Sequence, residues 1–179
     1  MKLAQCTLWL GALLLPTMTL AAGKAHQHGV LKLDIAVEAR KLSLQMESPL
    51  DNLVGFERAP RNEAERKRVD VALAKLKAGQ VLFSIDPAAQ CSLTKAELTS
   101  AVLKLGAAAP APASKSSEHA DIDAVFEFDC QDAARAAFID IGLFDAFAGM
   151  QQIDVQVATP TLQRKQTLKR PAKRVTLTR

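Results

Sequence analysis

Stretches of strict two-residue alternation constrain this chain more than any other feature. Leu31, Leu33, Ile35 and Val37 share one face, and Lys32, Asp34 and Glu38 the other. Leu42, Leu44 and Met46 repeat the period after a short polar connection, and Ser48-Pro49 ends it. Ile122, Ala124, Phe126, Phe128 and Cys130 oppose Asp123, Glu127 and Asp129, and Ile153, Val155 and Val157 alternate in the same way. Successive strand side chains point to opposite faces, so each stretch predicts a strand with one buried face, the first two forming a hairpin.

Between these stretches the period changes. Asn62 with Glu65 three residues on has the form of a capping box, and Val69, Ala72, Leu73 and Leu76 follow at helical spacing, with Gly79 as the stop. Val81 to Ile85 and Leu98 to Leu105 read as strands, and residues 131–149 as a helical region interrupted at Gly142. Leu162 to Leu168 and Val175 to Leu177 read as terminal strands. The run GAAAPAPASKSS offers little area to bury and reads as a flexible Ala/Pro/Ser loop over 106–118. The order β-β-α-β-β, loop, β-α-β-β-β clusters its strands. It predicts an α+β fold of mainly antiparallel sheet with about two helices, as one domain over 22–179.

The beginning of the chain has a separate logic. Lys2 precedes a nearly unbroken apolar run from Leu3 to Leu20. Pro16 breaks the run, and Thr19 and Ala21 are the small residues at −3 and −1, the layout of a cleaved signal peptide over 1–21, with an N-terminal membrane anchor as the alternative. Export to the periplasm follows, with no membrane span after cleavage. Cys91 and Cys130 then remain, and in an oxidising compartment they are expected to form a disulfide; two buried free thiols are the alternative. Closing a loop of about 40 residues this way contributes about 4 kcal/mol in the chain-entropy account.

Few residues could carry chemistry. Aromatics make up 4% of the chain with no Tyr, which argues against a stacking platform for bases and so against nucleic acid as a partner. There is no GxSxG elbow, no HExxH helix and no phosphate loop, so an enzyme finds no support. The informative residues are the three histidines. His26 and His28 stand two apart just before the first strand, and His119 stands two before Asp121 at the head of a later one. If those strands run parallel and side by side, His26, His28, His119 and Asp121, with Glu118 as the alternative carboxylate, meet at one rim. Three imidazoles and a carboxylate suit Zn²⁺. Cu²⁺ is an alternative if processing leaves His26 at the amino terminus. The competing reading is solvated histidines at the ends of flexible segments.

The C-terminal stretch, with Arg164, Lys165, Lys169, Arg170, Lys173 and Arg174, offers a different function: a metal-free envelope module that binds partners through a basic face. The plain alternative is the wet face of terminal strands.

Taken in order, His26-x-His28-Gly29, Ser48-Pro49, Val54-Gly55-Phe56-Glu57, a charged helix, Cys91, His119-x-Asp121, Phe126-x-Phe128-x-Cys130 and Ile153-x-Val155-Gln156-Val157 give the chain a family likeness. It resembles the ZrgA-like periplasmic zinc-binding proteins, which accompany zinc import in Gram-negative bacteria. The resemblance implies a non-enzymatic accessory protein that binds Zn²⁺ and assists a zinc uptake system, with His26, His28 and His119 as metal candidates. It departs from the family in one place. Members often carry a His-rich acidic run mid-chain, where this chain has GAAAPAPASKSS, so one structured site is expected here rather than a multi-ion buffer.

Overall fold

The structure, a computed structural model, describes residues 27–106 and 120–178. The expected signal segment, most of the Ala/Pro/Ser loop, His26, Glu118 and His119 lie outside the described residues.

The alternating stretches form strands as their pattern dictates: β1 (Val30–Val37), β2 (Lys41–Pro49), β5 (Asp121–Cys130) and β7 (Gln152–Thr159). With β4 (Cys91–Thr99) and β8 (Leu162–Lys169) they build a six-stranded sheet in the order β4-β5-β2-β1-β7-β8. The sheet is mixed. β1 pairs antiparallel with β2 and parallel with β7, and the other neighbours are antiparallel. A separate three-stranded sheet comprises β3 (Phe83–Ile85), β6 (Phe138–Ile141) and β9 (Arg174–Thr176) in the order β3-β6-β9.

One face of the large sheet is dry. Leu31, Leu33, Ile35, Leu42, Leu44, Ile122, Phe126, Phe128, Ile153 and Val155 are buried in one hydrophobic cluster with Phe83, Ile139, Ile141 and Val175 of the small sheet. The rings of Phe83 and Phe126 meet with centroids 4.9 Å apart. Each fully buried large side chain contributes about 1.5–3 kcal/mol. The other face is wet, as one-sided antiparallel pairing allows. It is laced by cross-strand polar pairs, such as Lys32 with Glu47 at 2.7 Å and Gln156 with Asp34 at 2.9 Å.

The helix predicted after Pro60 is α2 (Glu63–Lys77), and it buries Val69, Ala72 and Leu76. Asn62 Oδ1 accepts the Glu65 N–H at 2.9 Å. Glu65 does not reach back to the Asn62 N–H as a capping box requires. Its carboxylate instead accepts from the Arg61 N–H at 2.7 Å and pairs with both terminal nitrogens of Arg58. α2 ends at Lys77, before Gly79, which opens the single turn α3 (Gly79–Leu82). Gly79 serves close packing: a Cβ there would lie 2.6 Å from the Phe126 ring.

The expected fold class is therefore corrected. The described residues are mostly β: nine strands in two sheets, one of them mixed, against four helices, of which α1 (Asp51–Val54), α3 and α4 (Leu143–Ala146) are single turns. An antiparallel α+β fold with two helices does not describe it. Two misread stretches explain the difference. Residues 131–149 show helical spacing, yet Phe138–Ile141 pairs as a strand between β3 and β9, and tertiary pairing overrides local spacing. The strand expected over 98–105 lies earlier, at Cys91–Thr99, and the chain then turns back through a Ser100–Leu105 bridge. Cys91 and Cys130 stand opposite each other on β4 and β5 and are joined by a disulfide.

Candidate metal centre

The N-terminal edge of β1 carries the site. Gly29 adopts φ +80°, a left-handed turn open to glycine at little cost, and it delivers His28 to the end of the sheet. After β2, Ser48-Pro49-Leu50 leads into α1, whose first residue is Asp51. α1 stops where Gly55 turns left-handed at φ +84° and donates its N–H to the Asp51 carbonyl at 2.8 Å. The reversed chain brings Glu57 back beside Asp51.

One imidazole and two carboxylates converge there. His28 Nδ1 hydrogen-bonds Asp51 Oδ2 and lies 3.6 Å from Glu57 Oε1. One ligand atom from each of the three residues falls within 4.8 Å of the others. The His28 side chain is 69% exposed, whereas those of Asp51 and Glu57 are 21% and 20% exposed, so the imidazole is accessible and the carboxylates are sheltered. The hydrogen bond to Asp51, its negative charge and that of Glu57 raise the His28 pKa above the ordinary imidazole value.

The donor set fits a divalent cation of the zinc type, which takes imidazole nitrogen and carboxylate oxygen. A second observation supports the fit. Asp51 Oδ1 is buried and has no hydrogen-bond partner among the described residues. A buried carboxylate oxygen without a donor is costly, and a cation at this carboxylate would offset that cost.

The sequence-predicted ligands fare differently. His28 belongs to the cluster. Asp121 opens β5, opposite Pro49, and is not part of it. The assumed direct pairing of the strands at Val30 and Asp121 is absent, because β2 lies between β1 and β5. The two segments still share an edge, since Leu50 N donates to the Ala120 carbonyl at 2.8 Å, one residue from Asp51. The spacing argument missed Asp51 and Glu57. Glu57 closes the Val54-Gly55-Phe56-Glu57 landmark, and Asp51 stands two residues after Ser48-Pro49, but neither motif marks its acid as a ligand.

The basic C-terminal stretch is partly committed internally. Arg170 donates to the carbonyls of Phe144, Phe147 and Met150 and lies over the Phe144 ring. Arg174 pairs with Asp140 at 2.7 Å and covers Phe138. Both hold the small sheet and its neighbours together, which leaves less of a free basic face than the sequence promised. Among the described residues no helix is long and apolar enough to cross a membrane.

A family model described as ZrgA family zinc uptake protein matches residues 25–177. No curated protein matches the chain significantly.

Proposed function

This chain belongs to the ZrgA family of zinc uptake proteins, and from that premise we propose that it is a non-enzymatic periplasmic accessory protein that binds Zn²⁺ for an uptake system of the envelope. The observation that carries this reading is the convergence of His28, Asp51 and Glu57, with one Asp51 oxygen buried and lacking a donor. Three donors leave a tetrahedral zinc one ligand short. His26, two residues before His28 in sequence, and His119, the residue before Ala120 in sequence, are the proposed candidates for that place. Asp121 and Glu118 are proposed as further acidic groups at the same rim. The exposed imidazole favours uptake from solution and release to a partner.

Calorimetric titration of the folded protein tests the reading. Zinc is expected to bind at micromolar or tighter affinity, and His28→Ala and Asp51→Asn are each expected to weaken it by about tenfold or more. Binding that is absent, or unchanged in either variant, would overturn the site. The metal-free interaction module predicts the reverse: partner capture that is salt-sensitive and indifferent to loss of His28.

A further inference from the structure

We propose that Asn52 is the positioning residue of this metal centre, locking the Gly29 turn onto α1 so that His28 meets Asp51 before any metal arrives. The inference rests on the reading of His28 and Asp51 as zinc ligands, and it adds a residue that touches no ligand atom.

Asn52 is 2% exposed although its side chain is polar, so its partners must satisfy it internally. They do so on both sides of the site. Its Oδ1 accepts the Gly29 N–H at 2.6 Å, and its Nδ2 donates to the Val30 carbonyl at 2.9 Å and to Ser48 Oγ at 3.2 Å. Ser48 is itself fully buried and donates to the Pro49 carbonyl at 3.0 Å. One amide thus ties the residue after His28, the first residue of β1 and the end of β2 to the residue after Asp51. The backbone of Asn52 is fixed as well: a Cβ on Gly149 would lie 2.8 Å from the Asn52 carbonyl oxygen, so that contact admits only glycine. The opposite side of the turn is held by β7, because Gln151 and Gln152 both donate to the Gly29 carbonyl, at 2.8 and 2.9 Å. Gly29, the residue after His28, is therefore clamped from two directions. Groups that orient ligands in this way typically affect metal affinity about 10- to 100-fold when removed.

The test has two arms. In metal-free wild-type protein, hydrogen exchange of the Gly29 amide should be as slow as that of neighbouring β1 amides. Exchange at the rate of an open loop would overturn the proposal without any variant. In the second arm, zinc titration of Asn52→Ala is compared with Val175→Ala, a core substitution in β9 that lowers the melting temperature without touching the site. Asn52→Ala is expected to lose about tenfold or more in affinity, and its cobalt-loaded form to show a shifted visible spectrum, whereas Val175→Ala keeps both. Wild-type affinity and spectrum in a folded Asn52→Ala protein would overturn the inference while leaving the metal site standing. If His28→Ala binds zinc as well as wild type does, the site reading itself fails and the role of Asn52 falls with it.

Discussion

His28 works under two opposed demands. Asp51 and, more weakly, Glu57 favour its protonated form and raise its pKa above 6.5. The stabilisation from this pairing is complete below the unfolded value and fades as pH rises through the higher folded value. Zinc needs the unprotonated nitrogen, so affinity should fall on acidification through that same raised value, sooner than for an isolated imidazole. Calorimetry across about pH 5.5 to 8.5 checks this, and an affinity flat over that range would remove His28 from the ligand set. Glu65 behaves in the opposite sense. The Arg58 guanidinium and the Arg61 N–H hold its carboxyl down at about 2. Its contribution is therefore present above its ordinary value of 4.5 and is lost as pH falls toward about 2. Glu65→Gln should flatten the acid limb of the stability profile over that window, as followed by urea unfolding. The residue matters for the site because Arg58 adjoins Glu57, so the ion pair also holds the loop that carries the second carboxylate.

At the level of elements, α2 owes its start to Asn62 rather than to a reciprocal box. Asn62→Ala should cost about 1 kcal/mol in urea unfolding, a typical loss for an N-cap. Gly79→Ala should cost more, about 1–3 kcal/mol, because the new methyl group would press on the Phe126 ring in a filled core. Most individual strands were legible in the sequence because Leu31 to Val37 or Ile122 to Cys130 can bury only one face, and the period declares which. The pairing of those strands was not legible. Nothing in Ile153, Val155 and Val157 says that they lie beside Leu31 and Leu33 in parallel, since the chain between them passes through β2, β4 and β5 of the same sheet and β3 and β6 of the small one. Phe138 to Ile141 misled for a related reason: four residues fit either period, and only the neighbours β3 and β9 decide between them. The site was half legible. His28 announced itself by residue type, whereas Asp51 and Glu57 are common acids that the turns at Leu50 and Gly55 bring beside it as candidate ligands.

For the molecule as a whole, the disulfide joins β4 and β5, the strand pair at one edge of the large sheet, across a sequence separation of 39. Replacing both Cys91 and Cys130 by Ser should lower stability by about 4 kcal/mol in denaturant unfolding, with zinc affinity of the folded fraction unchanged, since the bond lies on strands that contribute no ligand of the described cluster. Zinc at about 100 times its Kd should in turn add about 2.7 kcal/mol, visible as a rise in melting temperature that His28→Ala removes. The clamp on Gly29 has one more consequence. Half of it comes from Gln151 and Gln152, more than a hundred residues downstream of the turn they hold. A chain in which that late segment has not yet docked therefore holds the Gly29 turn, and with it His28, from the Asn52 side alone. If the proposed site binds zinc, its full affinity should therefore arrive only with the docking of β7, which would tie metal occupancy to completion of the sheet.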